Sequence, residues 1–219
     1  MCDLSFTVVL LVGLTGLVFG WRVLTRRHAI PCPPELIWLL ENRAMERVAG
    51  SALLLERAGI VPGMHVLDAG CGPGRLTIPL AERVGERGSV LAVDLQEGML
   101  SRLKARLEAR CITNVRTLQA ALGSGALPAG AFDRALLVTV LGEIPDRVNA
   151  LREIQHSLRP GGILSVTEVF PDPHYQSRST VRRLAEQAGF AVRETSGNWR
   201  AFTINLSGPA EGAVAGSSE

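Results

Sequence analysis

The chain has 219 residues, of which 47% are hydrophobic and 20% charged, and its formal net charge is +2. That length and composition suit one domain with a sizeable core plus an added segment. The near-neutral balance excludes an electrostatic case for nucleic acid. Cys2, Cys32, Cys71 and Cys111 lack the spacing of a zinc site or a disulfide framework, so they read as reduced thiols and no metal is expected.

In chain order, the first feature is Leu4 to Trp21, 18 residues without a charge. As a helix rising about 1.5 Å per residue it would reach roughly 27 Å, close to the hydrocarbon thickness of a bilayer. Asp3 precedes it, and Arg22, Arg26 and Arg27 follow. This pattern predicts a single-pass membrane anchor within residues 1–30, with the rest of the chain on the cytoplasmic face. A cleaved signal peptide is disfavoured by Asp3 in place of a basic start and by the lack of a small-residue cleavage site. Gly16 and Gly20 are spaced so that a second copy of the anchor could pack there as a homodimer.

Pro31–Cys32–Pro33–Pro34 breaks the chain. Residues 31–60 read as this linker and a helical segment from Glu35 to Arg57, on which Leu36, Leu39, Leu40, Val48, Leu53 and Leu54 recur at helical spacing. After the Pro62–Gly63 turn, strands and helices alternate. The predicted strands are His65–Ala69, Ser89–Asp94, Val115–Gln119, Asp133–Leu141, Ile163–Val169, Phe190–Thr195 and Arg200–Leu206. The predicted helices are Leu76–Val84, Gln96–Ala109, Asp146–Leu158 and Ser179–Ala188, with Pro160–Gly161–Gly162 stopping the third. The short Ser196–Gly197–Asn198 turn predicts that the last two strands form an antiparallel hairpin at one edge. The expected fold class is therefore α/β: a doubly wound, mostly parallel seven-stranded sheet of Rossmann-like type over 61–206, preceded by one transmembrane helix. Residues 207–219 are rich in Gly, Ala and Ser and read as a disordered tail.

The stretch from Val66 to Gly74 joins the first strand to the first helix through Gly70, Gly72 and Gly74. A Cβ in such a turn would hold a ligand away from the backbone and forbid some of the dihedrals. A dinucleotide fingerprint starting at Gly70 would place its third glycine at 75. That residue is Arg75, and the third glycine is Gly74 instead. NAD needs a helix N-terminus aimed at a pyrophosphate. S-adenosylmethionine (SAM) has no phosphate and needs room for a methionine tail. Asp94 closes the second strand, where a carboxylate can accept hydrogen bonds from both ribose hydroxyls. The pattern points to SAM as the cofactor.

Together with Val93–Asp94, Phe132–Asp133 before the fourth strand and Leu158–Gly162 before the fifth, these residues make the chain resemble the class I SAM-dependent methyltransferases over roughly residues 60–195. It looks most like the small quinone- and lipid-methylating members. The resemblance implies that Gly70, Cys71, Gly72 and Gly74 line the methionine part, with Asp68 near its amino group. It implies that Asp94 holds the ribose, that Leu95 lies along the adenine, and that Leu141 and Gly142 approach the reacting centre. Family members often carry an acid after the third strand for the adenine amino group. Here the sequence is Gln119–Ala120–Ala121–Leu122, which leaves that contact to Gln119 or to backbone atoms around Ala120.

Methyl transfer from a sulfonium is an in-line displacement, so positioning supplies most of what an enzyme adds. A base is needed only where the acceptor must lose a proton. The candidates are Glu143 after the fourth strand, Glu168 at the end of the fifth, and Asp172, His174 and Tyr175 in the loop beyond. Tethering to a bilayer favours an acceptor that is itself in the membrane. The expected substrate is therefore small and amphipathic or lipid-like, such as a quinone precursor or a phospholipid amine. A reading from another class is a membrane scaffold or assembly subunit that keeps the fold without turnover, supported by the missing acid after the third strand. A nucleotide-dependent oxidoreductase is disfavoured by Arg75.

Overall fold

The computed structural model describes residues 49–208. The expected anchor, the Pro-rich linker, the predicted helix as far as residue 48 and the tail beyond 208 lie outside the described residues. Among the described residues, no helix is long and apolar enough to cross a membrane.

Seven strands form one sheet: β1 (His65–Ala69), β2 (Ser89–Asp94), β3 (Val115–Gln119), β4 (Phe132–Val138), β5 (Leu158–Val169), β6 (Ala191–Gly197) and β7 (Ala201–Ser207). Their order across the sheet is β3-β2-β1-β4-β5-β7-β6. β1 to β5 pair in parallel, whereas β7 runs antiparallel to both β5 and β6. The architecture is a mixed, Rossmann-like sheet with an antiparallel edge. The hairpin is present as expected, but its second strand, β7, slots inside, leaving β6 at the edge.

Burial explains that placement. Every residue of β7 from Ala201 to Leu206 is buried, whereas Ala191 to Glu194 of β6 are exposed. Exposed Arg193 and Glu194 blunt the open edge against further pairing. The polar residues of β7 find partners on β5 directly opposite. Ser165 donates to Asn205 Oδ1 at 2.6 Å, and the Thr167 and Thr203 hydroxyls meet at 2.9 Å. Asn205 Nδ2 then donates to the Arg57 carbonyl at 2.8 Å. A one-residue slip would strand all of these buried groups, so they fix the register.

Helices α1 (Ser51–Arg57), α2 (Thr77–Val84) and α3 (Glu97–Glu108) cover one face of the sheet. α4 (Arg147–Ser157) and α5 (Arg178–Gln187) cover the other, where Leu151, Ile154, Val181 and Ala185 pack with Leu67, Leu137, Leu164 and Phe202. Asp146 caps α4 by accepting from Asn149 N, and Ser177 caps α5 by accepting from Thr180 N. Between β3 and β4 there is no helix. Glu153 of α4 holds that loop instead, accepting from Leu127 N at 3.0 Å and also from Gly123 N.

Most expected boundaries move by one or two residues, β6 running on to Gly197 through part of the expected turn, and three changes alter the reading of the chain. α4 ends at Ser157, and Pro160–Gly161–Gly162 belongs to β5, where the pairing register with β4 jumps between Phe132 and Arg134. β4 stops at Val138, because Thr139 takes φ 57° and a 3₁₀ turn follows at Leu141–Glu143. β7 runs on to Ser207, the first residue of the expected tail.

Phe202 is fully buried in the second layer, with the Tyr175 ring edge-on at 6.0 Å and the Arg178 guanidinium 5.3 Å from its centroid. Phe202→Ala is expected to destabilise the domain by about 3–5 kcal/mol through the cavity it leaves, read as a fall in the urea midpoint. A change below about 1 kcal/mol would contradict this packing.

Candidate functional site

Strand order reverses between β1 and β4, and a cavity of about 300 Å³ opens there beyond the carboxyl ends of the strands. That is the lower end of the range for small-molecule sites, about 300–1,000 Å³. Its floor is the glycine turn after β1. Gly70 and Cys71 donate their amides to the Val93 carbonyl at 2.8 and 2.9 Å, which ties the turn to β2. Gly70 has φ 75°, and a Cβ there would lie 2.4 Å from Val140. Gly72 has φ 53°, and a Cβ on it would meet nothing within 4 Å. Because Gly72 lines the cavity, that open volume is ligand space. Gly74 does not line the cavity. Its missing Cβ makes room for Leu103, which would otherwise sit 2.4 Å away, so its role is to let α3 approach.

Asp94 closes the cradle. One carboxylate oxygen accepts from Gly72 N at 2.9 Å and the other from Gln96 N at 2.8 Å. These bonds aim the carboxylate, and each oxygen keeps a lone pair for a ribose hydroxyl. Leu95 is exposed at the mouth and lines the cavity with Met99. Ala120, Ala121 and Leu122 form the wall where the adenine acid was missed. Gln119 turns away, its Nε2 donating to the Leu95 carbonyl at 3.2 Å. Of the two options left open for the adenine, the backbone after Gln119 is the one on the cavity wall.

Asp68 lies at the base of the cavity, buried, and accepts from Thr77 Oγ1 at 2.6 Å. Burial pushes its carboxyl up to about 6, against the pull of Thr77 and Arg75. Cys71 also lines the cavity, but burial, followed by the charges of Asp68 and Asp94, pushes its thiol far above the usual range. It therefore stays protonated and is no nucleophile.

The cradle fits SAM. Gly72 leaves space beside the backbone, Asp94 offers two acceptors for a ribose diol, and Asp68 offers a carboxylate for an ammonium. Nothing in the turn presents a phosphate site, and Arg75 lines the cavity while its guanidinium donates to the Ala49 carbonyl at 3.0 Å.

The candidate bases divide into two groups. Glu143 lines the cavity, with Ile144 and Pro145 beside it. Glu168, Asp172, His174 and Tyr175 do not: Glu168 and His174 are buried behind it, and Asp172 and Tyr175 are half-buried. Glu168 is 1% exposed, its Oε2 accepts from Gln176 N at 3.0 Å, and its Oε1 has no hydrogen-bond partner among the described residues. Burial first, then Asp172 and Glu143, push it up to about 8 against Gln176 N and Arg147. At neutral pH it holds a proton. His174 is buried, and its carbonyl packs so tightly on Gly142 that a Cβ there would come within 1.9 Å. The Tyr175 hydroxyl donates to the Trp199 carbonyl at 3.1 Å. Leu141 is fully buried in the core, not on the cavity wall, and Arg147 pins its carbonyl and that of Gly142 at 3.1 and 3.0 Å. Thr139 and Val140 are cavity residues that the sequence did not flag. Thr139 is left-handed without being Gly or Asn, so no local signal marks that bend.

Two outcomes follow from these protonation states. SAM affinity, measured by calorimetry, should fall about tenfold per pH unit below about pH 6 as Asp68 takes a proton, and Asp68→Asn should bind weakly with no such slope. For Glu168 the folded value lies above the unfolded one. Its burial therefore costs nothing below the unfolded value of 4.5 and destabilises progressively as the pH rises towards 8. Glu168→Gln should gain melting temperature relative to the parent between pH 5 and pH 9, at about 2–4 °C per kcal/mol for a domain of this size. A constant difference across that range would contradict the buried, protonated state.

The methyltransferase-domain family model matches residues 66–162, which include the glycine turn, Asp94 and Glu143. A demethylmenaquinone methyltransferase of Lactococcus lactis subsp. lactis (strain IL1403) is 35% identical over 111 residues, 51% of this chain and 44% of its own length. The ubiquinone/menaquinone biosynthesis C-methyltransferase UbiE of Shewanella frigidimarina (strain NCIMB 400) is 33% identical over 139 residues, 63% of this chain and 54% of its own length. The chain thus spans about half the length of the curated relatives it matches. Among solved structures, a SAM-dependent methyltransferase from Aquifex aeolicus superposes with a TM-score of 0.73 at 24% identity, covering 80% of this chain and 98% of that one. Sheet order, cradle and the match over residues 66–162 all agree with a methyltransferase domain of the SAM-dependent kind.

Proposed function

We propose that the chain is a membrane-tethered enzyme that transfers the methyl group of SAM to a small amphipathic acceptor, with a quinone precursor as the leading candidate. The observation that carries this reading is a single cavity running from the SAM cradle at Asp68 and Asp94 to an apolar wall at Ile144 and Pro145. An acceptor seated on that wall would lie beside the cofactor with little water between them. The quinone-related names of the relatives support this acceptor class. The uncharged run from Leu4 to Trp21, followed by Arg22, Arg26 and Arg27, supports the tether.

When bound, SAM supplies an activated methyl on a positively charged sulfur. The chain's own contribution is to hold the two partners in line. Asp94 fixes the ribose end, and Asp68 fixes the methionine end. Glu143 is the one of the five candidate bases on the cavity wall, so it is the group to take a proton if the acceptor must lose one. Glu168, protonated behind that wall, holds the loop that carries His174 and Tyr175 through its bond to Gln176 N. Its role is positioning.

The test is incubation of the full chain with methyl-labelled SAM and a membrane lipid extract, followed by mass analysis of the labelled products. Label is expected in an apolar product. Glu143→Gln should lower kcat by about 10²–10⁴ for a carbon or oxygen acceptor while leaving the SAM KM unchanged. Label confined to water-soluble acceptors would overturn the amphipathic reading.

A further inference from the structure

The described chain begins at the same end of the sheet as the cavity. Ala49, the first described residue, accepts a hydrogen bond from Arg75 of the cavity lining. It packs in one cluster with Val169 and Ala201, which pair at the carboxyl end of β5. The arginine-flanked apolar run ends at Trp21. From there to Ala49, residues 22–34 could reach roughly 43 Å when extended at about 3.3 Å per residue, and the helix expected from residue 35 would add roughly 22 Å. A tether therefore enters at the mouth of the cavity with slack to spare.

Exposed apolar side chains concentrate at that end too. Leu95 is 54% exposed at the end of β2, Phe170 is 42% exposed after β5, and Trp199 is 63% exposed in the β6–β7 turn. Phe170 and Trp199 touch, with ring centroids 5.6 Å apart. Arg200 lies over the Trp199 ring at 5.1 Å. Arg178 donates to the Gly197 carbonyl at the base of the same turn. The nearest acid on the loop, Asp172, is turned inward onto His174 N at 2.7 Å. Arg178 packs inward on Phe202, so the exposed cation is Arg200, and an exposed indole and phenyl beside one outward-facing guanidinium match the chemistry of an anionic headgroup layer.

We propose that this end of the sheet is a membrane-docking face: Trp199 and Phe170 seat in the headgroup region of an anionic bilayer, Arg200 pairs with its phosphates, and the cavity mouth is held towards the lipid. The inference rests on the tethered reading above and deepens it, because it gives the tethered domain an orientation. Without docking, a tether with this slack would let the mouth point anywhere.

The test uses the full chain with Trp21→Phe and Trp38→Phe, which leaves Trp199 as the only tryptophan. It is reconstituted into phosphatidylcholine vesicles with and without phosphatidylglycerol, and into the same vesicles carrying brominated acyl chains. Docking predicts a blue shift of Trp199 emission on anionic vesicles and a loss of intensity with the brominated lipids, since an interfacial indole sits within reach of the acyl chains. Arg200→Glu should abolish both effects while leaving methylation of a water-soluble acceptor analogue unchanged. If the chain floats with the vesicles and Trp199 emission does not move, the docking face is overturned and the tether stands. If the chain does not float, both are overturned. If Trp199 is shielded but not quenched, and the sedimenting mass doubles in detergent, the face belongs to a second copy of the chain and the proposal fails.

Discussion

Every reading of this site depends on the bond from the Gly72 amide to the Asp94 carboxylate. It links the turn after β1 to the end of β2 and gives the cavity its shape. Only a residue that accepts φ 53° can present its amide there. The same bond aims Asp94, whose other oxygen is held by Gln96 N at the start of α3. Two backbone amides thus orient one carboxylate before any ligand arrives. Such preorganisation lowers the ordering cost of binding.

Around that cradle the protein separates holding from proton handling. Asp68 and Glu168 are both buried carboxyls pushed upward, but they face different tasks. Asp68 lies on the cavity and can be ionised by a cationic partner. Glu168 lies behind it and supports the loop that presses on Gly142. Glu143 lines the cavity among apolar neighbours. This division suits a reaction in which alignment does most of the work.

Much of the fold was legible because parallel strands buried on both faces leave short apolar runs, as in His65–Ala69 and Ala135–Val138. The glycine turn and Asp94 were legible because backbone geometry restricts what can stand there. The place of β7 was not. Nothing local marks Thr203 and Asn205 as buried, because their partners Ser165 and Thr167 lie opposite only through tertiary pairing. The Pro160–Gly161–Gly162 stretch carries the same local signal whether it ends a helix or makes a bulge in β5. For Glu168, His174 and Tyr175 the sequence located the correct end of the sheet. Which way each side chain turns depends on the loop's contacts with Gly142 and Trp199, and those are long-range. Gln119 shows the same limit, since its amide is claimed by Leu95.

The most direct test of the central claim is calorimetric titration of the full chain with SAM and, separately, with NADH. Saturable binding of SAM, lost by at least about tenfold in Asp94→Ala while the fold persists, is the predicted result, since a lost charged hydrogen-bond acceptor costs about 1.5–3 kcal/mol. Binding of NADH in preference to SAM, or SAM binding untouched by that substitution, would contradict it.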